Sequence, residues 1–250
     1  MPLFSIQGKI DAEGRFPLNA ADGRHLRKAL RLKLGETFAV LLPDGRRGEA
    51  RLEGRGPQSY GRLLSVGPAA SETRLPLWLG IGIIRWERLE WLVEKAVELG
   101  VERLSPLQLV RGRLAKDVNI SINKIKRLNK IAQETLKQCE RIASTRIDPP
   151  MSLADFLRKV GEAEAPAWQK LLLQERLAEP WLGKGLRSEA ERFVVLVGPE
   201  GGFQGQEREA ALAAGFAEAS LGPSILRSET AAIYCAAALD FHLRHSRSQA

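Results

Sequence analysis

Two glycine-bearing segments near the C-terminus hold the residues best suited to chemistry. The first, Gly198-Pro199-Glu200-Gly201-Gly202, directly follows the apolar run 193–197. The second is Leu221-Gly222-Pro223-Ser224-Ile225-Leu226-Arg227-Ser228-Glu229-Thr230. Glycine lets backbone N–H groups approach a ligand closely. In open parallel sheets, ligands bind beyond the carboxyl ends of the strands. Neither segment is a phosphate-cradling P-loop, because GxxxxGK[ST] is absent, so an ATPase is not expected. Gly80-Ile81-Gly82 gives GxG with no third glycine and no helix opening in the right place, so no dinucleotide fingerprint is present.

The remaining reactive residue types are scattered. His242 and His245 fall near the end of the last predicted helix and read as surface residues, and His25 sits in a basic segment where it either touches RNA or is structural. Cys139 and Cys235 lie far apart with no CxxC spacing. No metal site and no disulfide framework are expected, and a reducing cytoplasm is the expected compartment. The N-terminus lacks a basic stretch followed by a long apolar one, so no secretory signal is read. The longest apolar stretch, residues 75–84, is about half the length a bilayer helix needs, so no membrane association is expected.

The elements that must position the two loops follow from periodicity. Residues 1–70 read as all-β, with apolar runs at 3–6, 37–42, 49–52 and 62–66. Asp44-Gly45 predicts a hairpin turn, and residues 23–31 predict one basic helix. Residues 67–72 read as a linker, and residues 73–250 alternate strands and helices. Strands are predicted at 75–84, 101–107, 171–173 and 193–197. Trp86, Leu89, Leu92, Val93, Ala96 and Val97 share one helix face, with Gly100 as its stop. Ile125, Leu128, Ala132, Leu136 and Cys139 make another amphipathic helix. A third helix follows Gly202 with Glu207 and Glu209 in its first turn, and the last runs 231–243 with Ser228 as its N-cap. This alternation predicts an α/β domain with a largely parallel sheet.

Charge is distributed unevenly. Net charge is +8, and residues 103–146 alone carry eleven Lys or Arg against three Asp or Glu. A clustered cationic face attracts phosphates and gives salt-sensitive binding; the other reading is a solvated helix face. Aromatic residues are sparse there, so base stacking on an aromatic platform is not expected.

At the two loops a resemblance becomes specific. Residues 196–203 and 221–231 resemble the C-terminal signature of the 16S ribosomal RNA uracil-N3 methyltransferases, within the SPOUT class of knotted, S-adenosylmethionine-dependent RNA methyltransferases. Lys95-Ala96-Val97-Glu98-Leu99-Gly100-Val101 is similar to the family's K-x-x-E-L-G-V segment, and residues 134–141 to its E-A-x-E-Q-x-x-R segment. Residues 25–31, with Gly35 and Asp44-Gly45, resemble its N-terminal PUA-like barrel. The resemblance covers essentially the whole chain. It departs at Ser224 and Gln204, where the family usually has Arg and Ser, and at Lys137, where it has an acid.

The resemblance implies an α/β SPOUT domain with a C-terminal trefoil knot over 73–250, preceded by a small PUA-like, RNA-binding β-barrel over 1–70. It implies S-adenosylmethionine held by Leu173, Gly198, Gly201, Leu221, Gly222, Ile225, Leu226 and Thr230. It implies a homodimer with the cofactor pocket at the subunit interface, acting on N3 of one uridine in 16S rRNA of the 30S subunit. RNA would be gripped by Arg24, Arg27, Lys28, Arg31, Arg111, Arg113 and Arg141. Loss of the N3 proton leaves negative charge on O2 and O4, which a fixed cation stabilises. Arg227 is the first choice for that cation, and Glu200 or Glu229 for the proton acceptor. Each carboxylate could instead satisfy backbone N–H groups at a helix start, and Arg227 could be a structural ion pair. A methyltransferase acting on another rRNA or tRNA site, or a non-catalytic RNA-binding assembly factor on the same scaffold, are the other readings.

Overall fold

The computed structural model describes residues 4–6, 8–29, 31–43, 46–54, 59–67, 74–112, 122–139, 141, 143–163, 168–175, 181–187 and 189–248. It divides into two compact units: Met1–Glu72 with Leu136–Ile142, and Thr73–Thr135 with Ala143–Ala250.

The first unit is built on a five-stranded sheet of β1 (Phe4–Ser5), β2 (Arg15–Pro17), β3 (Thr37–Leu41), β4 (Arg47–Glu53) and β5 (Tyr60–Val66), in the order β1-β3-β4-β5-β2. Only the β1–β3 pair is parallel. The hairpin between β3 and β4 is closed by Leu42 N–H donating to Arg46 C=O at 2.9 Å; Asp44-Gly45 themselves lie outside the described residues. Alternation in β3 turns Phe38 and Val40 inward, where they join Phe4, Phe16, Leu26, Ala50 and Leu52 in one core. Phe16 leaves no space above Gly61, whose Cβ would meet the ring at 2.3 Å. The predicted basic helix is α1 (Ala20–Arg24), which runs on as a π-helical stretch, His25–Ala29. It starts earlier than expected because Asn19 Oδ1 accepts the Asp22 N–H at 2.8 Å.

The second unit is a parallel α/β sheet, as the alternation predicts. Its strands are β6 (Leu75–Gly82), β7 (Val101–Gln108), β8 (Arg146–Ile147), β9 (Met151–Ser152), β10 (Trp168–Leu173), β11 (Arg192–Val197) and β12 (Ala217–Ala219). The order is β12-β10-β11-β6-β7-β8, with β9 also on β7, and every pair is parallel. The helices are α2 (Trp86–Leu99), α3 (Ile122–Gln138), α4 (Leu153–Glu162), α5 (Leu182–Gly185), α6 (Gly205–Ala213) and α7 (Ser228–Ser248). Helix α2 stops at Gly100, which takes the left-handed conformation at φ 75°. Helix α4 was not read from the sequence. Helix α7 begins at Ser228 rather than at residue 231, so Ser228 opens the first turn instead of capping it.

The two faces of β6 explain its glycine. Leu77, Leu79 and Ile81 are buried on the opposite side from Trp78, which shares a core cluster with Phe156 of α4, while α7 packs on β6. Gly80 shares the Trp78 side, and a Cβ there would stand 2.8 Å from Phe156 Cζ and 2.9 Å from Leu196 Cδ2. Beneath Trp78 lies a buried polar network. Trp78 Nε1 donates to Ser105 Oγ at 2.8 Å, and Ser105 Oγ donates to Asp148 at 2.5 Å. Arg103 stacks over the Trp78 ring at 3.7 Å and donates to both Asp148 oxygens, at 2.7 and 3.1 Å. Burial of this carboxylate is tolerable because its charge is matched and its lone pairs are filled.

Candidate functional site

Register brings Leu173, Val197 and Gly82 to the same end of the sheet, since Leu172 pairs with Leu196 and Val197 with Ile81. Strand β12 lies on the far side of β10, yet α7 packs on β6 and β11. The segment 221–227 must therefore return across the carboxyl ends of β10 and β11. There it meets the turn that closes β11, and the two enclose a cleft of about 250 Å³. Pro199 and Ile225 are both in its wall, so the two glycine-bearing segments do share one cavity.

The turn after β11 is wound tightly. Gly202 N–H donates to Pro199 C=O at 2.8 Å, with Gly202 at φ +69°. A Cβ on Gly198 would sit 3.1 Å from Gly202 Cα. The turn rests on β6, where a Cβ on Gly82 would come within 2.6 Å of Pro199 Cδ. Glu207, in the first turn of α6, holds the assembly from behind. Its carboxylate accepts the N–H of Gln204 and that of Val110, each at 2.8 Å. It is therefore a buried brace between α6 and the end of β7, beyond the dipole role the sequence indicates.

Of the residues expected to hold a cofactor, Leu173, Gly198, Leu221, Gly222, Ile225 and Leu226 line the cleft. Gly201 and Thr230 do not; both are exposed, and Gly201 packs against Arg111, which donates to its carbonyl at 3.0 Å. Val197, Phe203, Gln174, Glu175, Ser228 and Ala231 also line the cleft. The first two continue a strand and turn already singled out, so their place was open to inference; Gln174 and Glu175 follow β10 with no local signal. The wall is mostly apolar, and Ile225 leaves 58% of its surface open, a shape suited to an aromatic heterocycle. Ser224 also faces the cleft, where the resembling family carries a cation.

The candidate catalytic residues separate. Arg227 and Glu200 line the cleft and are exposed. Glu229 is 5% exposed and outside the lining. Among the described residues neither Glu200 nor Glu229 accepts a backbone N–H at a helix start; each forms an ion pair with Arg88 on α2, which carries no signal in the sequence.

The candidate RNA residues are placed as follows. Arg24, Lys28 and Arg31 are exposed on the first unit, and Arg27 is half-buried with its guanidinium donating to Ser59 Oγ. Arg141 is half-buried, and Arg113 lies outside the described residues. Within the basic stretch, Arg103 is committed to Asp148 and Trp78, Arg146 pairs with Asp148 at 3.3 Å, and Arg127 is paired to Glu90. That pairing holds the Glu90 carboxyl below its ordinary value. Lys124, Lys126, Lys130 and Lys137 are exposed on α3; Lys130 pairs with Glu134 at 3.8 Å and Lys124 lies 5.1 Å from the Trp86 ring centre.

The histidines hold no site. His242 is half-buried and packs edge-on to Phe193 rather than lying at the surface, and His245 stacks on Phe241. Among the described residues no cluster of His, Cys, Asp and Glu could hold a metal ion, and no helix is long and apolar enough to cross a membrane.

A parallel sheet with a glycine-walled cleft at its carboxyl end is the framework of an RNA methyltransferase domain, and the family model of that description matches residues 71–240. Over 221 residues the chain is 32% identical to ribosomal RNA small subunit methyltransferase E of Synechocystis, covering 88% of this chain and 70% of that protein. The chain belongs to the ribosomal RNA small subunit methyltransferase E family. The crystal structure of the Neisseria gonorrhoeae member, bound to S-adenosylmethionine, superposes with a TM-score of 0.80 at 26% identity, covering 96% of this chain and 97% of that one. A Legionella pneumophila methyltransferase in complex with the same cofactor superposes at 0.76 with 27% identity, covering 96% of each.

Proposed function

We propose that this chain transfers a methyl group from S-adenosylmethionine to N3 of a uridine in 16S ribosomal RNA. The observation that carries this reading is the single cleft formed by the two glycine-bearing segments, with Arg227 and Glu200 at its wall. The cofactor supplies an electrophilic methyl group when bound. Leu173, Leu221, Ile225 and Leu226 give it an apolar seat, and Gly198 and Gly222 let the backbone come close. Gly201 and Thr230 lie outside that seat.

Arg227 stabilises the charge that develops on O2 and O4 as the N3 proton leaves. Glu200 accepts that proton. It is preferred to Glu229 because it lines the cleft, whereas Glu229 is buried and turned to Arg88.

The return of segment 221–227 across β10 and β11 supports the trefoil-knotted SPOUT topology for residues 73–250. The five-stranded sheet of the first unit, with Arg24, Lys28 and Arg31 on its surface, supports a PUA-like RNA-binding barrel over residues 1–70. Arg27, Arg111 and Arg141 serve the same RNA within their own units. Helix α7 leaves Tyr234 and Phe241 54% and 72% exposed, and α2 leaves Trp91 45% exposed; these favour a homodimer through the helical face. With ribosomal RNA of the 30S subunit as substrate, the enzyme works in the cytoplasm.

The test is transfer of labelled methyl from S-adenosylmethionine to 30S subunits that lack the modification, with the product nucleoside identified by mass spectrometry. Labelled N3-methyluridine is expected. No transfer by folded protein would falsify the reading.

A further inference from the structure

One guanidinium answers both acids beside the cleft. Arg88, in the first turn of α2, places Nη1 3.5 Å from Glu200 Oε1 and Nε 3.5 Å from Glu229 Oε1. Glu200 belongs to the turn after β11, and Glu229 to the first turn of α7. Arg88 itself is not in the cleft wall.

The burial of the three side chains is unequal, and this gives the arrangement its leverage. The side chain of Glu229 is 7% exposed, that of Arg88 26% and that of Glu200 34%. Glu229 Oε2 is buried with no hydrogen-bond partner among the described residues, so compensation for this carboxylate comes from Arg88. A buried charge without its partner is strongly unfavourable. Remove Arg88, and the start of α7 must shift to wet Glu229 or take up a proton there. Ser228, Arg227 and Ala231, which line the cleft, would move with it. The turn at Glu200 would lose its tether in the same step.

We propose that Arg88 is a positioning residue for methyl transfer, tying the turn after β11 to the start of α7 and so setting the separation of the two cleft walls. This rests on the reading of the cleft as the S-adenosylmethionine site. A forked guanidinium can address two carboxylates at fixed angles, whereas a lysine ammonium is a point charge that favours one.

The experiment compares Arg88→Met, Arg88→Lys, Glu229→Gln and the Arg88→Met/Glu229→Gln double variant in the full-length protein. S-adenosylmethionine affinity is read by calorimetry, single-turnover transfer on undermethylated 30S subunits, and amide hydrogen exchange at Gly202 and Ala231. In Arg88→Met, Kd is expected to rise about tenfold or more and the transfer rate to fall further than Kd accounts for. Exchange at both amides is expected to quicken. Arg88→Lys should recover part of each loss, and the double variant should be no worse than Arg88→Met alone. If Arg88→Met does not fold, Arg88→Lys decides, with an intermediate loss expected.

Wild-type affinity, rate and exchange in the Arg88 variants would overturn the proposal, as would multiplicative losses in the double variant. Absence of binding and transfer in the unaltered protein would overturn the reading of the cleft; the exchange measurement still decides the tether.

Discussion

Pro199 occupies the space that a side chain on Gly82 would need, its Cδ lying 2.6 Å from that Cβ position. The end of a central strand and the turn of the next one thus interlock, and the turn is a wall of the cleft. Gly82→Ala should push the turn outward, costing about 1–3 kcal/mol of stability and weakening S-adenosylmethionine binding. Gly80→Ala meets Phe156 on the side of α4, away from the cleft, and should lower stability without changing affinity. Thermal melting and calorimetry on the two variants separate the effects. Equal affinities for Gly82→Ala and the unaltered protein would rule out the interlock as a determinant of the site.

Arg227 should affect chemistry more than binding, whereas Glu200, which also pairs with Arg88, should affect both. Arg227→Ala is expected to lower the single-turnover rate about 10²–10³-fold, and Glu200→Gln about 10²-fold. Cofactor Kd should stay near that of the unaltered protein for Arg227→Ala. Full activity in Glu200→Gln would move the proton acceptor elsewhere.

The Asp148 network should matter for the fold alone. Asp148→Ala leaves Arg103 and Ser105 without their partner and should cost about 3 kcal/mol in urea unfolding. Ser105→Ala should cost about 1–3 kcal/mol, because Arg103 still satisfies the carboxylate while the buried Trp78 Nε1 loses its acceptor. A loss below that of Ser105→Ala in the Asp148 variant would show the network to be dispensable.

Charge on α3 should act through salt dependence. Lys126→Glu and Lys130→Glu, both on the exposed side, should weaken 30S binding and flatten its dependence on salt by about one unit of slope per lost phosphate contact. Arg127 is already paired with Glu90, so Arg127→Ala should change that slope less. Filter-binding titrations over a range of KCl give the slopes; slopes equal to that of the unaltered protein in all three variants would remove α3 from the RNA face.

Burial pushes the Cys235 thiol up to about 12. At pH 8, iodoacetamide should label the half-buried Cys139 and spare Cys235 until the protein is unfolded. The sign for stability follows: above the ordinary value of 9.0 the unfolded chain loses this proton first, so the group favours unfolding as pH rises from 9.0 toward about 12. Labelling of Cys235 in native protein would show that α7 opens locally.

Much of the second unit was legible because its strands are apolar on both sides and stand out as continuous runs. Residues 193–197 and the stop at Gly100 are examples. Helix α4 was missed although its marks are present: Ser152 Oγ accepts the Asp155 N–H at 3.1 Å, and Leu153, Phe156 and Val160 fall on one face. Strand β2 is three residues long, too short for alternation to register. The cleft itself was legible from its glycines. Arg88 was not, because its meaning depends on two carboxylates more than a hundred positions further along the chain, and spacing along one helix carries no trace of them. The charge of residues 103–146 was read correctly as a sum, but Arg103 and Arg146 are spent on Asp148, inside the fold.

The cleft is assembled from Leu173 through Ala231. On the reading of this cleft as the S-adenosylmethionine site, a chain emerging from the ribosome gains that capacity only once α7 has begun to form, however much of the sheet is already in place.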